Sequence, residues 1–151
     1  MQNLKILNKK EIKHVLEMIK KQWGCDFKED YAFLQNKDGK VFIVNKDIAK
    51  IDFKKIRINS VGLYFAEVRN NEIRLSIEGS QIIGPKAKEN IIELNEKEAR
   101  EWLKGFDLDK EANMENFVII KHGNDYLGTG KIRDNKIFNF VPKTRRLNVS
   151  D

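Results

Sequence analysis

Towards its C-terminal end the chain runs through three short apolar segments, residues 117–121, 126–132 and 137–141. His122-Gly123-Asn124-Asp125 and Arg133-Asp134-Asn135-Lys136 separate them. Segments this short, and this rich in β-branched and aromatic residues, read as strands and not as helices. Turns this tight force consecutive strands to run antiparallel. This part of the chain is therefore committed to a small sheet, and everything else has to be placed around it.

Two stretches carry a helical period instead. Over residues 9–23, Ile12, Val15, Leu16, Ile19 and Trp23 recur on one face, with Lys10, Lys13, Lys20 and Lys21 towards the other. Asn8 and Glu11 have the spacing of a capping box, and Gly24 supplies the stop. The same signal returns at Asn95 and Glu98, predicting a helix over 96–104. Its inner face would be Ala99, Trp102 and Leu103, and Gly105 would end it.

Between these helices the pattern predicts short strands at 31–34 and 41–44, joined by Lys37-Asp38-Gly39-Lys40. A helical turn is expected at 47–51 and a longer strand at 60–68. Asn70-Asn71 then turns the chain into an alternation of Ile73, Leu75 and Ile77. Ile82-Ile83-Gly84-Pro85 breaks that alternation, and the joint between two parts is placed there. The fold class is α+β. Residues 1–85 are expected to form a helix on a small antiparallel sheet, and residues 86–151 a partly closed β-barrel. That barrel would open with a strand at 91–94 and close with one near 147–149. The acidic stretch 107–115 is expected to lie exposed. Gly128 and Gly130 suit the bends that a tight barrel needs.

Chemistry is sparse along this chain. Cys25 is the sole cysteine, which rules out an intrachain disulfide and a multi-cysteine zinc site and suits a reducing cytoplasm. It reads as a buried small hydrophobe. His14 within the first helix and His122 in a turn read as structural. Gly128-Thr129-Gly130-Lys131 lacks the spacing of a phosphate loop and lies between strand residues. Glu96, Glu98 and Glu101 read as a solvated helix face. No cofactor or metal is expected, and neither a signal peptide nor a membrane span is legible.

Charge points elsewhere. The 29 Lys and Arg residues outnumber the 23 Asp and Glu, for a net charge of +6, which favours an anionic partner. The excess is concentrated near the end. Lys131, Arg133, Lys136, Lys143, Arg145 and Arg146 stand against the single acid Asp134, with Tyr126, Phe138 and Phe140 interleaved. Arginine forks match phosphate oxygens, and aromatic rings stack on unpaired bases.

The run Tyr126-Leu127-Gly128-Thr129-Gly130-Lys131, followed by an aromatic strand and Pro142-Lys143-Thr144-Arg145-Arg146, resembles the end of a PUA-type RNA-binding domain. It is most similar to the PUA-like tails of Sun-family RNA 5-methylcytosine methyltransferases, and also to the PUA module of small ribosome-biogenesis factors. The resemblance covers about residues 86–151 and implies a β-barrel that binds RNA. It does not bring the methyltransferase activity with it, because the paired reactive cysteines of those enzymes are absent.

The expectation is thus a non-catalytic protein that binds structured RNA, rRNA or tRNA, in ribosome biogenesis or RNA modification. Lys143, Arg145 and Arg146 would grip phosphates, with Lys131 and Arg133 in support and Lys86 and Lys88 extending the track. Gly128 and Gly130 would let the RNA backbone approach, and Tyr126 would stack on a base. The alternative is an adaptor that docks an RNA methyltransferase or pre-ribosomal proteins, using the apolar face of the first helix if that face is left open.

Overall fold

In the computed structural model the described residues are 4–28, 30–45 and 62–148. The expected helical turn at 47–51 and the start of the strand at 60–68 lie outside them.

The first sheet is an antiparallel meander in chain order: β1 (Leu4–Ile6), β2 (Tyr31–Asn36), β3 (Lys40–Asn45), β4 (Leu63–Arg69) and β5 (Glu72–Leu75). Helix α1 (Lys9–Trp23) connects β1 to β2. Its capping box is complete: Glu11 N–H donates to Asn8 Oδ1 at 2.8 Å, and Asn8 N–H donates to Glu11 Oε1 at 3.0 Å. Gly24 ends it at φ +65°, in the left-handed conformation that favours glycine. Val15, Ile19 and Trp23 are buried in one core with Phe33, Val41, Ile43 and Phe65 of the sheet. At the β4–β5 turn, Asn70 (φ 50°) and Asn71 (φ 63°) both take positive φ, as a two-residue hairpin twisted like its strands requires.

The sequence reading departs from the structure at Ile77. The alternation of Ile73 and Leu75 extends as a strand only to Leu75, and helix α2 (Ile77–Ile83) begins after Ser76. Ser76 Oγ accepts from the Gly79 N–H at 2.9 Å and donates to Tyr64 O at 2.7 Å, capping the helix and tying it to β4. Gly79 and Ser80 are weak helix formers, but they are what lets α2 fit. A Cβ on Gly79 would collide with the Phe65 carbonyl. Ser80 is fully buried, and its Oγ accepts from the Gly128 N–H at 2.8 Å. Tertiary packing makes this helix.

The second sheet contains β6 (Ile91–Glu93), β7 (Leu108–Asp109), β8 (Asn116–His122), β9 (Asp125–Arg133) and β10 (Lys136–Phe138), in the order β6-β8-β9-β10-β7. It curls into a half-barrel. The β6–β8 pair is parallel and the other pairs are antiparallel. A parallel pair needs a crossover, and α3 (Glu96–Leu103) lies within it. Asn95 and Glu98 form its capping box as the sequence predicts. Trp102 is fully buried, and its Nε1–H donates to Leu127 O at 2.9 Å.

Three further expectations are revised. The acidic stretch 107–115 is only partly exposed: it contributes edge strand β7, Leu108 is buried, and Ala112 and Met114 pack on the second core. Strand β10 stops at Phe138. The Asn139 side chain there donates to Trp102 O (2.8 Å) and Phe106 O (3.0 Å) and accepts from the Val141 N–H (2.7 Å), which diverts the backbone from the ladder. No strand forms at Leu147, whose N–H instead donates to Leu103 O at 2.9 Å.

Strand β8 serves both cores. Phe117 and Ile119 join the α1 core, while Val118 and Ile120 join the core around Trp102. This strand of the second sheet therefore sends side chains into both cores. No helix among the described residues is long and apolar enough to cross a membrane.

Candidate functional site

After β10 the chain buries Val141 in the second core and then emerges at the surface. Residues 142–148 are exposed, and Lys143–Arg145 form a single 3-10 turn. Proline at 142 fixes the entry to this turn. Lys143, Arg145 and Arg146 thus share one short exposed element, as the sequence reading grouped them. Their surroundings differ. One guanidinium nitrogen of Arg145, Nη1, donates to both carboxylate oxygens of Glu78 in the first turn of α2, 2.9 Å from Oε2. Arg146 lies against Gly105, and its Nε–H donates to Val141 O at 2.9 Å. Lys143 has no ion-pair partner among the described residues.

The turn forms one lip of a cleft of about 370 Å³ between the two sheets. Leu63 and Tyr64 of β4, Arg74 of β5, and Ile77 and Glu78 of α2 line one side. Leu127, Gly128 and Thr129 of β9, with Phe140, Pro142, Thr144 and Arg145, line the other. The Arg74 guanidinium lies 4.5 Å from the Phe140 ring centroid and donates to Glu67 Oε2 at 2.8 Å. Phe140 meets Phe117 edge-on at 5.6 Å, and the Lys131 ammonium lies 5.4 Å from the Phe117 centroid. Lys131 is also 3.2 Å from Glu72. Burial pushes the Tyr64 hydroxyl above its usual range, so it stays protonated at neutral pH.

Lys131 and Arg145 are thereby engaged with carboxylates of the N-terminal part, Glu72 of β5 and Glu78 of α2. Arg133, at the far end of β9, is exposed. Lys86 and Lys88 are exposed but lie beside the end of α1: the Lys86 ammonium is 5.8 Å from the Phe27 centroid, and the Lys88 N–H donates to Trp23 O at 2.8 Å. Neither lines the cleft.

The glycine and tyrosine expectations need correction. Gly130 is buried, and a Cβ there would meet Ile137 at 2.5 Å and Trp102 at 2.6 Å. It is glycine because the second core closes over it. Gly128 (φ +95°) lies in the cleft wall, but Ile77 occupies the space before it and Ser80 takes its N–H. Neither glycine offers an open approach to a polymer backbone. Tyr126 packs on Gly84 as part of the first core, with the Lys121 ammonium 5.6 Å from its centroid. Its ring is engaged within the protein. The α1 face invoked for an adaptor is buried as well.

Arg74 was missed by sequence reasoning. Alternation in β5 puts it opposite the buried Ile73 and Leu75, but nothing in the sequence brings it to Phe140. Cys25 is buried, and burial pushes its thiol up, away from the reactive thiolate. Among the described residues no group of three His, Cys, Asp or Glu side chains could hold a metal ion.

Residues 89–147 match the family described as the methyltransferase RsmF PUA domain. The second module is thus similar to a PUA domain. The match takes in β6, α3, the curled sheet and the Pro142–Arg146 lip. The chain is also similar to the ribosomal RNA small subunit methyltransferase F of three bacteria. With that of Vibrio cholerae it is 24% identical over 135 residues, 89% of this chain and 28% of the relative. With that of Vibrio parahaemolyticus it is 28% identical over 121 residues, 76% of this chain and 25% of the relative. With that of Aeromonas salmonicida it is 30% identical over 91 residues, 59% of this chain and 19% of the relative. The chain thus spans roughly a quarter of the length of these relatives. An alignment of 135 residues extends well beyond the PUA-type module, so the likeness includes the N-terminal sheet.

Proposed function

We propose that this chain binds RNA, rRNA first and tRNA as the other candidate, and serves RNA modification or ribosome biogenesis without a catalytic centre of its own. The observation that carries this reading is the PUA-type match to an RNA methyltransferase family, whose matched segment ends on the exposed cationic turn of Lys143, Arg145 and Arg146. Lys143 and Arg146 present charge to solvent and make the first phosphate contacts, with Arg133 and Lys131 more peripheral. Most of the affinity is then electrostatic and falls steeply with salt.

The roles divide near residue 85. The PUA-type part meets RNA, while the N-terminal sheet buttresses it through β8 and positions it for a catalytic partner, an RNA methyltransferase or a pre-ribosomal assembly. The setting is the cytoplasm. The non-catalytic reading is supported by the family match, which is to a PUA domain.

The test is the double variant K143E/R146E, titrated with structured rRNA fragments by mobility shift. For every phosphate that is no longer neutralised, the salt slope should fall by about one. Unchanged affinity and salt slope in a variant that melts like the parent would refute this surface as the RNA site.

A further inference from the structure

The cleft between the sheets has a volume of about 370 Å³, close to the lower end of the range for built ligand sites. We propose that it receives one unpaired nucleobase of the bound RNA, with the adjoining phosphate held by Lys143 beside its mouth and by Arg145 in exchange for its ion pair with Glu78. This deepens the RNA-binding reading and rests on it.

Shape and chemistry of the walls carry the inference. Leu63 and Ile77 from the N-terminal part, and Leu127 and Pro142 from the C-terminal part, give two apolar sides. Phe140 lines the same side as Leu127 and Pro142, 38% exposed, with Arg74 over its ring and Phe117 against its edge. A ring fixed in this way is a stacking surface already ordered before ligand arrives. A base paired and stacked within a duplex cannot enter such a space, whereas one splayed out of a loop can.

Recognition of the base edge falls to side chains, because the nearby backbone groups are engaged. Leu127 O accepts from Trp102, the Gly128 N–H goes to Ser80, and Thr129 Oγ1 donates to Leu75 O. Arg74, Glu78, Thr144 and Arg145 stand along the lining, a mixture of donors and acceptors in which Arg74 is paired with Glu67 and Arg145 with Glu78. Charge selects the class of ligand. Arg145 lines the mouth and Lys143 stands in the same exposed turn, so an apolar cavity opens beside a cationic segment. A nucleotide presents that same sequence of properties, flat ring then anion.

The experiment uses the full chain and a short single-stranded oligoribonucleotide carrying 2-aminopurine at one position. Binding is read by anisotropy and base insertion by 2-aminopurine emission. Two variants report on the cleft: Phe140→Leu removes the stacking ring, and Thr144→Trp fills the cleft from an exposed position where folding is not at risk. Each should weaken binding by roughly tenfold and abolish the emission change. If Phe140→Leu melts early, Thr144→Trp decides. Wild-type affinity and wild-type emission change in Thr144→Trp would overturn the cleft while leaving RNA binding intact. No RNA binding by the unmodified chain would overturn both.

Discussion

Arg145, in the C-terminal turn, is ion-paired with Glu78, in the first turn of α2, so the end of the PUA-type module is tied to the element wedged between the sheets. The pair is partly solvated, with side-chain exposures of 47% and 26%. It therefore acts more as a local restraint on the cationic turn than as a source of stability.

Replacing Glu78 by Gln should accordingly change the folding free energy by less than about 1 kcal/mol. It should also free the Arg145 guanidinium and remove a negative charge from the cleft mouth. The expected outcome is tighter RNA binding at low salt, measured by mobility shift, with a melting temperature close to the parent's.

Gly79 and Gly130 are required by packing. Gly79→Ala drives a methyl group into the Phe65 carbonyl, and Gly130→Ala drives one into Ile137 and Trp102. Each should cost roughly 1–3 kcal/mol or more in urea denaturation. Gly123→Ala has nothing within 4 Å of the added carbon and meets only its own φ of +59°, so it should cost less.

Acid should loosen α3 through Glu98. Burial raises the pKa of its carboxyl, but the Asn95 N–H and the Lys110 ammonium outweigh that and hold it below its ordinary 4.5. A group whose folded-state pKa is depressed lends stability above its unfolded pKa and loses it as pH falls through the folded one. The stabilisation is thus complete at neutral pH and fades below about pH 4.5. Glu98→Gln keeps a capping acceptor but no charge. Its melting temperature should fall less steeply with acid than the parent's between neutrality and pH 3.

Because Phe117 and Ile119 complete the first core, a fragment of residues 86–151 should not retain the native fold. Ile119→Ala in the whole chain should cost about 2–5 kcal/mol. Chemical-shift dispersion in the fragment and urea midpoints in the variant check the two statements.

Much of this architecture was legible because local chemistry and tertiary environment agree. Asn8 with Glu11 and Asn95 with Glu98 announce their helices, and Asn70-Asn71 and Asp134-Asn135 adopt the positive φ their hairpins need. Helix α2 was not legible, since Gly79 and Ser80 weaken its propensity and only their fit against Phe65 and Gly128 explains it. The glycines of β9 were read as openings because a sequence indicates a missing side chain without indicating what fills the gap. The cleft was invisible for a related reason. Arg74, Ile77 and Phe140 are far apart along the chain, and no periodicity predicts that they meet.

Strand β8 raises a question of alignment. A strand buried on one face is held in place by its pattern, since sliding by one residue would expose its apolar set. With Phe117 and Ile119 on one side and Val118 and Ile120 on the other, such a slide would exchange like for like. Alignment then passes to polar atoms at the margin. Gln22 donates to Phe117 O at 2.7 Å, the Ile119 N–H finds Asn90 O at 2.8 Å, and Glu93 accepts from the Gly123 N–H at 3.0 Å. These peripheral residues contribute little buried area, yet they determine which side chains each half of the molecule receives.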